Sequence, residues 1–307
     1  MKTHEFYMRR CLELARMGEI GAHPNPMVGA VIVDSNGAIL GEGYHRRCGQ
    51  AHAEVNAVAN ADARGNDITD STIYVSLEPC SHWGKTPPCS KLIIDRQIPR
   101  VVVGCIDPFA KVQGRGIEML REAGVEVTVL DGEISEACRE LNRRFFTAHT
   151  LGRPFVALKW AETANGLVDR LRSDASTPPL RISTPESQIA AHRYRSTFDA
   201  IAVGRRTAEL DRPRLDSRCF PGGRDPQRVE FRRGDLLAQL RELYAGGISS
   251  VLIEGGPTLQ RAFIEAGLVD ELRVERSPLV LDEPGVEAPL KLNLPFGVNL
   301  LRTADVL

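Results

Sequence analysis

The sequence predicts an α/β protein built from two domains. The chain has 307 residues, and at roughly 150 residues per domain this length suggests two domains. Segments with the periodicity of strands alternate with segments that have the periodicity of helices, which is typical of a sheet covered by helices. Between residues 149 and 154, Gly152 and Pro154 interrupt this alternation and indicate a linker. We therefore expect domains at residues 1–147 and 154–307.

The first domain is predicted to begin with a helix and a hairpin. Apolar side chains of residues 3–17 recur on one helical face, and the sequence Pro24-Asn25-Pro26 cannot continue a helix. Residues 28–33 and 38–44 flank an Asn-Gly turn, which predicts a hairpin. Because alternating helices and strands follow, we expect a mixed sheet. The further predictions are helix 52–63, strand 71–77, helix 90–95, strand 100–105, helix 116–123, strand 125–130 and helix 134–148.

The second domain resumes the alternation after the linker. One stretch, residues 205–233, is so dense in Arg, Pro and Gly that it predicts no regular element. The elements predicted around it are strand 155–160, helix 185–195, strand 200–203, helix 235–245, strand 251–253 and helix 258–266.

Composition excludes several classes of protein. Hydrophobic residues make up 42% and charged residues 26%, which excludes a largely disordered chain. The 39 Lys and Arg residues balance 40 Asp and Glu residues, so no basic excess indicates nucleic acid or an anionic membrane as a partner. No apolar run approaches the roughly 18–20 residues that span a bilayer, and the first residues lack the apolar core of a signal peptide. Seven scattered cysteines favour a reducing compartment, so we expect a cytoplasmic enzyme.

A metal centre is predicted in the first domain. His52 and Glu54 open a predicted helix, Cys80 follows a predicted strand, and Cys89 follows two prolines. One His and two thiolates suit tetrahedral zinc with a fourth position for water. A glutamate two residues beyond the His ligand is placed to move protons between that water and a leaving amine. The pattern indicates hydrolytic deamination of an amino-pyrimidine or a related ring, and the alternative is a structural zinc site, which usually has four protein ligands.

The spacing of the two cysteines points to a particular family. Base deaminases have the pattern H-x-E…P-C-x-x-C, whereas here residues 81–88 separate the cysteines. The stretch Leu77 to Cys89, with residues 23–29, 43–45 and 107–116, resembles the deaminase domain of bifunctional riboflavin-biosynthesis proteins. These proteins join a diaminohydroxyphosphoribosylaminopyrimidine deaminase to the matching reductase. The resemblance covers residues 1–147 and implies a cytidine-deaminase-like mixed sheet with helices.

This resemblance assigns roles to residues of the first domain. It implies that His52, Cys80 and Cys89 bind zinc and that Glu54 shuttles protons. The implied contacts to a small phosphoribosyl-pyrimidine substrate are Asn25, His45, His82, Lys85 and Asp107. Lys85 suits a phosphate because its ammonium is a mobile point charge. For His82 the alternative is that it only packs the loop.

The second domain resembles the reductase domain of the same family, which implies a dihydrofolate-reductase-like fold. The matching segments are residues 155–161, 165–166, 182–185, 203–207, 211–218 and 252–258. The implied catalytic residues are Lys159, Asp211 and Glu254, and the implied substrate contacts are Ser183, Arg214 and Arg218. The implied contacts to NADPH are Gly204, Arg205, Thr207, Gly255 and Gly256. Two glycines between a strand and a helix N-terminus form a seat for a pyrophosphate, although a plain turn has the same sequence.

The second domain also departs from the family pattern. After residues 222–229 the family has a strand that ends in Asp and several tens of further residues, whereas this chain continues directly to residues 230–234 and the next helix. We therefore expect a shortened domain that lacks one strand and part of the NADPH cradle. Two possibilities follow: a bifunctional deaminase and reductase, or a deaminase whose second domain serves only folding and dimerisation.

Two further function classes are disfavoured. A nucleic-acid base deaminase conflicts with the neutral charge, the long segment between the cysteines and the reductase-like half. A non-enzymatic zinc scaffold has no use for an open coordination position beside Glu54. We therefore expect a homo-oligomeric enzyme that binds Zn²⁺ and NADPH, with no nucleic acid or membrane partner.

Overall fold

The computed structural model describes residues 3–83, 87–109 and 113–305, which divide into two units between Leu151 and Gly152. Strands and helices alternate in both units, so the predicted α/β class is confirmed. Within the described residues no helix combines the length and the apolar character that crossing a membrane requires.

The first unit contains a five-stranded mixed sheet, as predicted. The strand order is β2-β1-β3-β4-β5. Strand β1 is antiparallel to both neighbours, while β3, β4 and β5 are mutually parallel. The strands are β1 (Gly29–Val33), β2 (Ile39–Tyr44), β3 (Thr72–Val75), β4 (Arg100–Val103) and β5 (Glu126–Val129).

Helices cover both faces of this sheet. Alternate side chains of β1 enter two separate apolar cores: Ala30 and Ile32 lie in one, and Val31 and Val33 lie in the other. All four are buried because β1 is an inner strand with a covered surface on each side. The helices are α1 (His4–Arg16), α2 (Ala53–Ala63), α3 (Cys89–Asp95), α4 (Arg115–Glu122), α5 (Gly132–Leu141) and α6 (Arg143–Leu151).

The single helix predicted over residues 134–148 is wrong, because the structure divides it at Asn142. The Asn142 side-chain amide donates to the Met27 carbonyl oxygen at 2.8 Å, and its oxygen accepts from the Met27 N–H at 2.7 Å. Its backbone has φ −110° and ψ 23°, so α5 ends there and α6 starts at the next residue. A contact 115 residues away in sequence therefore overrides the local helical pattern. Helix α6 then extends into the segment predicted as linker.

The second unit contains a six-stranded sheet of order β13-β11-β6-β10-β8-β9 and a two-stranded sheet of β12 and β7. Strand β6 pairs in parallel with both β10 and β11, so it lies inside the sheet. The strands are β6 (Phe155–Glu162), β7 (Leu167–Arg170), β8 (Ala200–Ala202), β9 (Gln227–Arg228), β10 (Ser250–Glu254), β11 (Glu271–Arg276), β12 (Gly285–Glu287) and β13 (Gly297–Arg302). The helices are α7 (Pro185–Arg195), α8 (Arg205–Asp211), α9 (Leu236–Ala245) and α10 (Pro257–Glu265).

The stretch over which no element was predicted contains α8 and β9. Strand β9 has two residues and pairs in parallel with β8 at the edge of the sheet. It occupies the place in the chain where the family pattern has a strand, so the shortened segment still adds a brief edge to the sheet. Strands β7, β11, β12 and β13 were not predicted, and β11 and β13 continue the sheet beyond β6.

Candidate active sites

Three elements bring the predicted metal ligands together in the first unit. His52 is the N-cap residue of α2, Cys80 lies in the loop that follows β3, and Cys89 is the first residue of α3. The His52 Nδ1 atom lies 3.6 Å from the Cys80 sulfur and 3.3 Å from the Cys89 sulfur. All three potential ligand atoms lie within 4.8 Å of one another. The starts of two helices, α2 and α3, thus supply a fixed backbone for His52 and Cys89.

The donor set fits zinc. Zn–N bonds of about 2.0 Å and Zn–S bonds of about 2.3 Å in a tetrahedron separate the nitrogen from each sulfur by about 3.5 Å, which agrees with the two distances. Nitrogen and sulfur ligands also favour zinc over magnesium or calcium, which prefer oxygen. The Cys89 N–H points to the Cys80 sulfur at 3.3 Å. Contact with the Cys89 thiol lowers the pKa of the Cys80 thiol, and His52 lowers it further, so Cys80 favours the thiolate form that metals bind.

Glu54 lies beside these ligands in the first turn of α2. Its side chain is buried. Burial raises the pKa of Glu54, while the neighbouring His52 opposes that rise. A buried carboxyl whose pKa lies above its ordinary value is suited to exchanging protons near neutral pH.

His45 and Asn25 form a polar pair against the metal ligands. The His45 Nδ1 atom lies 3.1 Å from the Ala51 carbonyl oxygen, and its Nε2 atom lies 3.1 Å from the Asn25 side-chain nitrogen. Because a carbonyl only accepts, Nδ1 carries the proton and Nε2 accepts from the Asn25 amide. The His45 and His52 rings meet edge to face with centroids 5.2 Å apart. Burial lowers the pKa of His45, which favours its neutral form.

Asp107 lies in the loop after β4, and a second acidic residue holds its backbone. The Asp107 N–H donates to Glu78 Oε2 at 3.2 Å, and Asp107 Oδ1 accepts from the Phe109 N–H at 2.7 Å. Both carboxylates are buried. Burial raises the pKa of Asp107 to about 6, and the charges of Glu78 and Cys80 contribute to the rise.

The other two predicted substrate contacts lie between the cysteines. His82 is exposed in the loop that follows Cys80. Lys85 lies outside the described residues.

In the second unit, strand register places two predicted catalytic residues side by side. Lys159 of β6 pairs with Glu254 of β10. Arg195, the last residue of α7, donates to the two carboxylate oxygens of Glu254 at 2.8 and 2.7 Å. Burial alone would raise the pKa of Glu254, but Lys159 and Arg195 together hold it below its ordinary value. Glu254 is therefore a buried carboxylate between two cations.

The predicted NADPH contacts meet where two helices begin. Gly256 is the N-cap of α10 and Gly204 is the N-cap of α8. A Cβ atom on Gly256 would lie 3.0 Å from the Gly204 Cα and 3.2 Å from Thr207 Oγ1, and Gly255 and Gly256 have φ of +68° and +70°. Two backbones approach so closely here that a side chain on Gly256 would not fit. The first N–H groups of a helix are the donors that an anion seat uses. The residues present fit the pyrophosphate of a dinucleotide.

The arginines predicted from the resemblance are mostly exposed. Arg205 has an 85% exposed side chain and lies 3.7 Å from Glu209. Arg214 and Arg218 both pair with Asp216, at 2.9 and 2.5 Å. The Asp216 carbonyl oxygen also accepts from Arg195 at 3.1 Å, which gathers three guanidinium groups around one residue.

Two predicted residues contact other protein groups. Asp211, at the end of α8, forms a 2.7 Å ion pair with Arg172. The Ser183 hydroxyl donates to Glu275 at 2.6 Å. The geometry thus ties Asp211 and Ser183 to buried partners, whereas Lys159 and Glu254 lie together.

Sequence reasoning missed three charged residues of these sites: Glu78, Arg172 and Arg195. Glu78 directly precedes Pro79-Cys80, and an acidic residue within that motif was the available signal. For Arg172 and Arg195 the sequence offers no such signal, because Arg172 meets Asp211 and Arg195 meets Glu254 across 39 and 59 residues. Arg172 also pairs with Asp169, three residues before it.

Comparison with protein families separates the same two halves. Residues 1–105 match the family described as "Cytidine and deoxycytidylate deaminase zinc-binding region". Residues 154–289 match the "RibD C-terminal domain".

Relatives match nearly the whole chain. The riboflavin biosynthesis protein RibD of Aquifex aeolicus is 35% identical over an alignment that covers 90% of this chain and 87% of the relative. The RibD of Escherichia coli is 32% identical and covers 90% of this chain and 88% of its own length. The first of these alignments spans 324 positions, more than the 307 residues of this chain, so that relative carries residues that this chain lacks.

Solved structures extend the likeness to the fold. A Thermotoga maritima structure titled diaminohydroxyphosphoribosylaminopyrimidine deaminase/5-amino-6-(5-phosphoribosylamino)uracil reductase superposes with a TM-score of 0.82, 30% identity and 97% coverage of both chains. Acinetobacter baumannii RibD gives a TM-score of 0.79 with 28% identity, covering 95% of this chain and 91% of that one. The likeness to the Thermotoga chain therefore extends over both units of this chain. The chain therefore belongs to the RibD family of riboflavin biosynthesis proteins and joins a zinc-binding deaminase domain to a reductase domain of the NADPH-using RibD type.

Proposed function

We propose that the first domain deaminates 2,5-diamino-6-ribosylamino-4(3H)-pyrimidinone 5′-phosphate and that the second domain reduces the ribosyl chain of the product to ribityl with NADPH. The observation that carries the first half is the cluster of His52, Cys80 and Cys89 with the buried Glu54 carboxyl beside it. Three protein ligands are typical of a catalytic zinc site, because the fourth position then serves water or substrate.

The deaminase chemistry divides between the metal and the chain. Zinc bound to His52, Cys80 and Cys89 supplies Lewis acidity and lowers the pKa of a coordinated water. Glu54 takes the proton of the attacking water and delivers it to the leaving 2-amino group, which departs as ammonia. Because Glu54 is buried, the transferred proton is shielded from bulk solvent during this exchange.

Polar residues around the cluster orient the pyrimidine. The Ala51 carbonyl fixes the tautomer of His45, and His45 in turn fixes the orientation of the Asn25 amide. We assign Asn25, His45 and Asp107 to ring contacts, since hydrogen bonds within the chain hold their polar atoms before substrate arrives. His82 and Lys85 are assigned to the phosphoribosyl group on the basis of the family resemblance.

The reductase half rests on the glycine cradle. Gly204, Gly255 and Gly256 would hold the NADPH pyrophosphate at the start of α10. When bound, NADPH supplies a hydride. Lys159 within β6 lies next to Glu254, which is the last residue of β10. Ligands of open α/β sheets bind at the carboxyl ends of strands. The sugar contacts are assigned to Lys159, Asp211 and Glu254. The contacts to the rest of the substrate and its phosphate are assigned to Ser183, Arg214 and Arg218. The remaining NADPH contacts are assigned to Arg205 and Thr207.

The shortened edge of the second sheet keeps one alternative open. Strand β9 has two residues and is the edge of the six-stranded sheet beside β8. A deaminase with an inactive second domain would release ammonia but would not bind NADPH.

The two halves are tested on one preparation of the full-length, zinc-loaded protein. We expect ammonia release from the diaminopyrimidine substrate, NADPH binding by calorimetry, and NADPH oxidation that depends on the deaminated product. Glu54→Gln should abolish ammonia release while zinc stays bound, and Lys159→Ala should abolish NADPH oxidation while ammonia release continues. Ammonia release without NADPH binding would establish the alternative, and normal deamination by Glu54→Gln would refute the role of Glu54.

We also propose that the enzyme is a homo-oligomer that assembles through its second domain. Strand β13 forms an edge of the six-stranded sheet, and its Val298 and Leu300 side chains are 45% and 55% exposed. Exposed apolar edge strands tend to pair with a second chain. Light scattering should give a multiple of the monomer mass, and Leu300→Lys should shift it towards the monomer. A monomeric wild-type protein would contradict this assignment.

We further propose that the enzyme acts in the cytoplasm. None of the seven cysteines forms a disulfide, and reducing compartments maintain cysteines without disulfides. Fractionation of cells that express the full chain should place the deaminase activity with cytoplasmic markers, and activity in another fraction would contradict the proposal.

A further inference from the structure

A buried carboxylate behind the zinc ligands binds four backbone N–H groups. Glu78 is 4% exposed. Its Oε2 atom accepts from the N–H of Asp107 at 3.2 Å and of Gly114 at 2.9 Å, and its Oε1 atom accepts from the N–H of Gly116 at 2.9 Å and of Ile117 at 3.4 Å. Both oxygens are therefore engaged by protein, and Glu78 has no direct role with substrate.

These four hydrogen bonds join the segment that leads to Cys80 with the loop at Asp107 and with the start of α4. Glu78 lies two residues before the zinc ligand Cys80, and its own N–H donates to the Cys105 carbonyl at 3.0 Å. Gly114 is the N-cap of α4, so Glu78 also satisfies N–H groups that the start of this helix leaves without a partner. A Cβ on Gly116 would lie 2.0 Å from the Pro79 carbonyl oxygen. The helix start is thus packed directly against the chain that leads to Cys80.

Asp107 connects Glu78 with the proposed substrate site. Its backbone is held by Glu78, and its side-chain oxygen accepts from the Phe109 N–H two residues later. The carboxylate of Asp107 therefore has a direction that depends on the Glu78 contact. One of the four partners of Glu78 is thus the residue to which the proposed function assigns a substrate contact.

We propose that Glu78 is a positioning residue of the deaminase, which holds Asp107 in the orientation that binds the pyrimidine beside the zinc ligands. The inference rests on the substrate contact that the proposed function assigns to Asp107. Glu78→Gln replaces one acceptor oxygen by an NH₂ group, which faces backbone N–H donors and breaks the contacts on that side.

The test is a double-mutant cycle in the full-length, zinc-loaded protein. We expect Glu78→Gln to lower kcat/KM for ammonia release by about 10²-fold, mainly through KM, because a misdirected binding group costs about that much. In an Asp107→Asn background the same change should cost less than about threefold, since the residue through which it acts is already altered. Zinc content and NADPH oxidation should stay at wild-type values. The matched control is Glu118→Gln, which removes an exposed carboxylate from the first turn of the same helix and should change nothing.

The outcomes separate this inference from the proposed function. Unchanged kcat/KM in Glu78→Gln, an equal loss in both backgrounds, or loss of zinc would each overturn the positioning role while the deaminase assignment stands. Absence of ammonia release by the wild type would instead contradict the proposed function. If Glu78→Gln does not fold, Glu78→Asp, which keeps the charge and shortens the reach, is put through the same cycle with the same expected coupling.

Discussion

The ion pair of Arg195 and Glu254 offers a quantitative test of the second site. Arg195→Met removes the guanidinium but keeps an unbranched apolar side chain. The pair is buried, with side-chain exposures of 15% and 8%, and has two contacts of 2.7 and 2.8 Å. Loss of the ion pair leaves the Glu254 carboxylate buried, and Lys159 is then the cation that lowers the pKa of Glu254 most strongly.

The expected magnitude follows from burial. Removing one partner of a buried ion pair costs about 3–5 kcal/mol, because the other charge stays desolvated. For a domain of about 150–250 residues each kcal/mol shifts Tm by about 2–4 °C. We therefore expect Arg195→Met to lower the midpoint of the second unit by about 6–20 °C.

Fluorescence of Trp160 reports this unit selectively. The chain has two tryptophans: Trp160 is 3% exposed in β6, whereas Trp83 of the first unit is 68% exposed and senses solvent before and after unfolding. Ammonia release by the same sample shows that the first domain is intact. Arg241→Met, at an exposed position of α9, is the matched control and should leave the midpoint unchanged.

The direction in which this stability difference changes with pH follows from the pKa of Glu254. The folded-state pKa of Glu254 is lowered, so its ionised form stabilises the fold above the unfolded pKa of about 4.3 and this stabilisation disappears as the pH falls through the folded pKa. In Arg195→Met, Lys159 is the main cation left to oppose the effect of burial on Glu254, so the pKa of Glu254 is higher than in the wild type. The stability difference between the two proteins should narrow as the pH falls from about 7 to below about 4. A midpoint within about 2 °C of the wild type at neutral pH would refute the reasoning.

Three further predictions follow from single contacts. Cys89→Ser should reduce zinc from about one ion per chain to a small fraction, measured by metal analysis, because the set loses one of its thiolates; unchanged zinc would mean that another residue is a ligand. Gly256→Ala should weaken NADPH binding at least about tenfold by calorimetry, since its Cβ would lie 3.0 Å from the Gly204 Cα. Gly247→Ala, at φ +90° with no atom near its Cβ, is the control for backbone strain. An equal loss of NADPH affinity in both variants would contradict a role of Gly256 in the NADPH site. Asp107→Asn should stabilise the first unit progressively between pH 4 and 7 in urea unfolding, by up to about 3 kcal/mol, because a folded pKa of about 6 above the unfolded value makes ionisation destabilising; a difference that does not vary with pH would contradict this origin.

Local patterns in the sequence predicted the elements that form the two sheets and their helices. The run Val28 to Val33 gave β1 because an inner strand is apolar on both faces. Residues 185–195 gave α7 because Thr184 caps its start and Pro185 follows directly. The candidate zinc ligands could be predicted for a related reason: His52, Cys80 and Cys89 are chemically distinctive, and His52 and Cys89 each lie at the start of a helix.

Other features depended on partners far apart in the chain. Strands β11 and β13 lie beyond the last predicted helix. Strand β11 has four charged residues although it lies inside the sheet, and β13 has no apolar run longer than two residues, so the neighbouring strands rather than their own composition stabilise them. The helix break at Asn142 requires Met27, and Asp211 is held by Arg172. Neither contact produces a periodic pattern in the sequence from which it could be predicted.

The sequence by itself therefore determined the α/β class and predicted the candidate metal ligands and the proposed general base beside them, because periodicity and motif chemistry are local properties of the chain. Only the tertiary structure decided which charged groups support those residues. Glu78 contacts Asp107 at a separation of 29 residues, and Arg195 contacts Glu254 at 59. Such buried charges are stable only when folding brings a specific partner within hydrogen-bond distance, and that pairing depends on strand order and helix placement.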